Sequence, residues 1–170
     1  MQPVAVRRPR APAAGCAALV PDMRALPLIL LAAAVAAPAV AGEYDARAAA
    51  RARTDYLLHC SGCHGQDGEG KPWKGIPKFA GQVGHFQRTP ESRAFLMQVP
   101  GLLGAGLGDE RAAAVTTWLV REFAGTSLPA DFKPYTTDEA RRYREARPVD
   151  VIGRRNELYE RLNTAGYPVE

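Results

Sequence analysis

Cysteine, histidine and methionine are scarce in this chain, three of each in 170 residues. So few cysteines exclude a disulfide framework, because Cys60 and Cys63 stand together and Cys16 stands alone. There is no second C-x-x-C and no H-x-x-H pair. A four-coordinate structural zinc would therefore have to draw on His59, His64 or His85 to complete its ligands. The longest apolar run, Leu26 to Ala37, falls short of the roughly 20 residues a membrane span needs, and Pro27 and Pro38 bracket it. The net charge of +4 suggests a basic protein, but residues 1–41 hold most of it. Arg7, Arg8, Arg10 and Arg24 oppose only Asp22 there, which leaves residues 42–170 with 18 basic and 17 acidic side chains. No basic stripe interleaved with aromatics remains, so nucleic acid is excluded as a partner.

What is present is Cys60-Ser61-Gly62-Cys63-His64, a C-x-x-C-H sequence. In a chain this poor in Cys and His, chance would place that pattern about 0.001 times, so coincidence is a weak explanation. Residues i, i+3 and i+4 share one helix face, which points both thiols and the imidazole the same way. Two thiols can then add to the two vinyl groups of one porphyrin while the imidazole reaches the iron. A redox-active C-x-x-C would call for a preceding strand and a βαβ setting, whereas these flanks are helical in pattern and Gly-rich. The motif predicts one covalently attached haem c per chain.

Met23-Arg24, the apolar run to Ala37 and Ala39-Val40-Ala41 read as the three regions of a secretory signal with cleavage before Gly42. Residues 1–22 carry no structure-forming period, and translation is expected to start at Met23. The exported product would be periplasmic and would have no permanent membrane span. Cys16 has no assignable role.

Residues 42–125 read as one small domain and 126–170 as a polar helical extension. Asp45 to His59 lack Gly and Pro and predict a helix running into the motif. Residues 65–90 hold six glycines and predict a compact irregular loop, long enough to need a cofactor as its core. Asp109 to Phe123 predict a second helix, with Ala112, Val115, Trp118/Leu119 and Phe123 on its apolar face. Trp118 and Phe123 are expected in the core. In the extension, Thr136-x-x-Glu139 is a capping box opening a short helix with an Asp138/Arg142 pair, broken by Pro148. Residues 151–163 predict a further helix with a thin stripe of Val151, Leu158 and Leu162. The extension is either a belt over the domain or a docking arm.

Over residues 44–124 the chain resembles class I, monohaem bacterial c-type cytochromes. Tyr56 to Gly70 (YLLHCSGCHGQDGEG), Ile76 to Val83 (IPKFAGQV) and Val99 to Phe123 carry the resemblance. It implies an all-α fold, small and wrapped around the haem, with His64 as proximal iron ligand. It also implies that the Pro77 carbonyl accepts the imidazole Nδ1–H, fixing the tautomer.

The distal ligand is open among three readings. Met97, the sole methionine beyond the leader, would give His/Met ligation and a raised potential. The resemblance, however, places a Met-Pro where this chain has Val99-Pro100, ahead of Leu107-Gly108-Asp109-Glu110. His85 is the second reading, and an open or water-filled site the third. The function implied is single-electron carriage between redox proteins, a dehydrogenase as donor and an oxidase or another cytochrome as acceptor, with no catalytic residues. The alternatives are an open-site haem protein, peroxidase-like or gas-binding, and a cytochrome subunit of a larger periplasmic dehydrogenase.

Overall fold

A computed structural model describes residues 45–170, which fall within one compact unit. The expected leader and cleavage site, and Cys16, lie outside the described residues. Helix α1 (Ala46–His59) starts where Asp45 accepts the Arg47 N–H, and it ends at the motif. The one-turn α2 (Ser61–His64) follows. Next come short 3-10 turns at Pro72–Lys74 and Val83–Gln87, then α3 (Pro90–Phe95), α4 (Pro100–Leu103) and α5 (Asp109–Phe123). The chain closes with α6 (Thr137–Glu145) and α7 (Val151–Thr164). Among the described residues there is no strand, only an isolated Lys71–Ile76 bridge. No described helix is long and apolar enough to cross a membrane.

The organising contact is α1 on α5. Tyr56 is fully buried there, its ring centroid 5.2 Å from Trp118 and 5.1 Å from Phe123. Its hydroxyl donates to the Gly65 carbonyl at 2.6 Å, tying the helix to the chain just beyond the motif. Arg111 of α5 pairs with the buried Asp55 of α1, adding a charge-assisted tie to the same interface. Phe123 is core, as its spacing predicts, and Trp118 is partly buried against the same cluster.

The extension packs onto this pair. Tyr135 and Ala140 join the main core, while Leu158 and Leu162 form a second cluster with Phe86, Phe95 and Val169. The predicted capping box is formed: Thr136 Oγ1 accepts the Glu139 N–H and Glu139 accepts the Thr136 N–H. One expected pair is corrected. Asp138 bonds Arg141 at 3.4 Å rather than Arg142, because the i+3 guanidinium also reaches Asp109 of α5, whereas Arg142 turns toward the Tyr143 ring.

Two short helices were not legible as helices. Pro90 and Pro100 each occupy the first turn, where a missing N–H costs nothing. Thr89 caps the first of them by accepting from the Ser92 N–H.

Candidate functional site

Cys60 is both the last cap of α1 and the residue before α2, so the C-x-x-C-H sequence straddles a helix junction. Its N–H bonds the Tyr56 carbonyl at 2.9 Å, and the Cys63 and His64 N–H groups return to the Cys60 carbonyl. That tight turn brings both thiols and the imidazole to the wall of one cavity of about 590 Å³. The volume lies within the roughly 300–1,000 Å³ typical of cofactor sites. Most of the remaining wall is apolar, including Phe79, Val83, Phe95, Val99 and Leu119.

His64 Nδ1 lies 3.0 Å from the Pro77 carbonyl oxygen. That oxygen can only accept, so Nδ1 carries the proton and Nε2 keeps its lone pair free for a metal. The ring stacks on Phe79, centroids 4.1 Å apart, which fixes its plane. Burial lowers the His64 pKa, opposed by the Pro77 hydrogen bond, so the neutral ring is favoured.

The Pro77 carbonyl is held in turn by a constrained loop. Lys71 and Ile76 exchange backbone hydrogen bonds at 3.0 and 3.2 Å, and Gly70 N–H bonds the His64 carbonyl at 2.8 Å. Gly70 has φ +64°, and a Cβ there would collide with the Pro77 carbonyl itself. Gly70→Ala should therefore displace the acceptor of His64 and destabilise the protein by about 1–3 kcal/mol. Thermal unfolding of the purified protein checks this. An unchanged midpoint would mean that the loop does not hold Pro77.

Cys60 argues against a redox dithiol. Such centres need a depressed thiol pKa, commonly at a helix N-terminus. Burial, with Asp55 and Cys63 nearby, pushes the Cys60 thiol up to about 11. Among the described residues, no group of three or more His, Cys, Asp or Glu side chains converges as a metal site. The donor set, two thiols and one oriented imidazole on an apolar cavity, fits a covalently tethered haem.

Two predicted residues are not brought to that cavity. Met97 is fully buried, its thioether accepting from Thr116 Oγ1 at 3.8 Å, and it does not line the cavity. Thr116 does line it, so Met97 stands one side chain behind the wall. His85 is also off the cavity, its ring 5.6 Å from Tyr167 and its Nδ1 buried without a partner. Burial and the neighbouring Arg88 lower its pKa. Val99 lines the cavity at the register where the resemblance would put a methionine.

Residues that sequence reasoning left out of the site come from α7. Val151, Ile152, Arg155 and Tyr159 all line the cavity. Burial holds the Tyr159 phenol above its ordinary pKa. The only signal was the 152, 155, 159 spacing, which places these residues along one helix face.

The described residues form an all-α fold consistent with that of a small cytochrome c. Among curated relatives, the chain is similar to cytochrome c-552 of Thermus thermophilus, 29% identical over 119 residues that cover 58% of this chain and 90% of the relative. Cytochrome c-552 from a named strain of the same organism matches at the same 29% over 58% of this chain and 80% of the relative. No family model matches the chain, and no solved structure matches it.

Proposed function

We propose that this chain is a monohaem c-type cytochrome that carries single electrons between redox proteins, exported to the periplasm by its N-terminal signal. The observation that carries the reading is the convergence of Cys60, Cys63 and a His64 oriented by Pro77 on one apolar cavity. The similarity to cytochrome c-552 supports it. Cys60 and Cys63 would hold the haem covalently and His64 would ligate its iron; the bound group supplies a reversible one-electron couple. The protein's part is to keep His64 in one tautomer, to exclude water with the Phe79, Val83 and Leu119 wall, and to hold the site rigid through the loop of residues 70–77. A redox titration of the purified protein tests the reading, with one reversible one-electron transition expected per chain. A protein that exchanges no electron, or that turns over a peroxide substrate, would overturn it.

Met97 as distal ligand requires its thioether to leave Thr116 and pass the cavity wall. Under that reading Met97→Ala lowers the potential and creates carbon monoxide binding that the parent lacks, because a thioether favours ferrous iron. His85→Ala should be spectrally silent. The wall position of Val99 favours a second reading, a sixth site without a protein ligand, in which the parent already binds carbon monoxide. Carbon monoxide titration of parent and Met97→Ala separates the two.

A further inference from the structure

The C-terminal helix α7 has two working faces. Leu158 and Leu162 are buried with Phe86 and Phe95 and anchor it to the domain. Ile152, Arg155 and Tyr159 line the cavity that also holds Cys60, Cys63 and His64. Arg155 supplies the one guanidinium of that wall. Its Nη1 donates to the Gly75 carbonyl at 3.2 Å, joining α7 to the loop that carries Pro77. Its Nε is buried and has no acceptor. The other guanidiniums around it are compensated, since Arg154 and Arg161 share Glu157. Lys78, also on the cavity, pairs with Glu69 at 2.8 Å. No carboxylate pairs with Arg155 among the described residues.

A guanidinium partly withdrawn from water, with an unsatisfied donor and no countercharge, is costly unless an anionic acceptor arrives with the ligand. Its planar fork matches a carboxylate better than any other side chain does. A porphyrin is apolar over its ring and carries carboxylates on its edge, which is the combination this wall presents. We propose that Arg155 pairs with a propionate carboxylate of the macrocycle, so that α7 is an integral wall of the cofactor site. The proposal rests on the haem reading of the cavity. Because the tether runs through Cys60 and Cys63, loss of the Arg155 contact should leave the haem in place and alter only its surroundings.

The test uses the holoprotein as parent, Arg155→Gln, Arg155→Lys and, as a control off the cavity, Arg154→Gln. Haem staining on a denaturing gel should be equal in all four. Redox-difference infrared spectra should show a shifted propionate carboxylate band in Arg155→Gln, partly restored in Arg155→Lys and unmoved in Arg154→Gln. The reduction potential should fall in Arg155→Gln, because a cation beside the centre stabilises the reduced state. Identical infrared bands and potentials in parent and Arg155→Gln would overturn the proposal while leaving the haem assignment intact. So would a formate titration that perturbs the parent spectrum and not that of Arg155→Gln, since the cation would then serve a free anion. A parent without covalent haem would overturn the proposal together with the reading beneath it.

Discussion

Replacing Cys60 and Cys63 together by alanine should yield a chain without haem, largely unfolded and cleared by proteases. Each single replacement should leave one thioether and a poorly matured product. The magnitude follows from the cavity. Without its occupant the cavity of about 590 Å³ opens apolar side chains such as Phe79, Val83 and Leu119 to water, and at roughly 1.5–3 kcal/mol of lost burial for each, several together lose on the order of 5–10 kcal/mol. That is the scale of the whole stability of a domain, about 5–15 kcal/mol. The fold therefore depends on its occupant, and binding of that occupant is folding free energy. Circular dichroism and haem staining of the double variant check this. A folded, haem-stained double variant would refute the assignment of the two thiols.

The second large effect lies outside the cavity. Arg93 of α3 donates through Nε and Nη2 to Glu139 at 3.1 Å each, and through Nη1 to Gln87 at 2.8 Å and the Lys133 carbonyl at 3.0 Å. Its Nη2 also meets the Pro134 carbonyl at 3.2 Å, and the guanidinium lies 3.8 Å over the Tyr135 ring. One side chain thus clamps the segment entering α6 to α3 and the turn before it. Arg93→Ala removes the countercharge of Glu139, leaving it only the Thr136 N–H and the Tyr143 hydroxyl, and should destabilise the protein by about 2–4 kcal/mol. Arg93→Lys should recover little, because a point charge cannot span both Glu139 oxygens and the carbonyls. Urea denaturation of the holoprotein measures this, and a loss near zero would show that the extension holds without the clamp.

The parts of the site legible in sequence are those built from short-range geometry. The C-x-x-C-H spacing located the thiols and imidazole because a helical turn alone juxtaposes them. Helical period found α1 and α5, and the Thr136-x-x-Glu139 spacing found the cap of α6. The Pro77 contact followed from the family resemblance, and His64 Nδ1 does meet that carbonyl. What escaped depends on packing across the chain. Pro90 ends the stretch whose composition reads as loop, and nothing marks Pro100 as a helix start, because proline is permitted in a first turn but does not announce one. Scarcity singles out Met97, which the structure seats behind Thr116, and its role as distal ligand is what the carbon monoxide titration decides. Arg155 and Tyr159 sat in a helix whose apolar stripe was read from Val151, Leu158 and Leu162 alone. Their place on the cavity comes from docking across about 80 residues of sequence, from Gly75 to Arg155, which periodicity does not encode.

The central claim is that one haem is tethered to this chain through Cys60 and Cys63. Intact mass spectrometry of the purified protein after acid denaturation and solvent extraction tests it most directly. The account predicts a chain heavier by one haem, with Cys60 and Cys63 both unreactive to a thiol label. Free, labelled thiols at both positions, with extractable haem or with none, would contradict it.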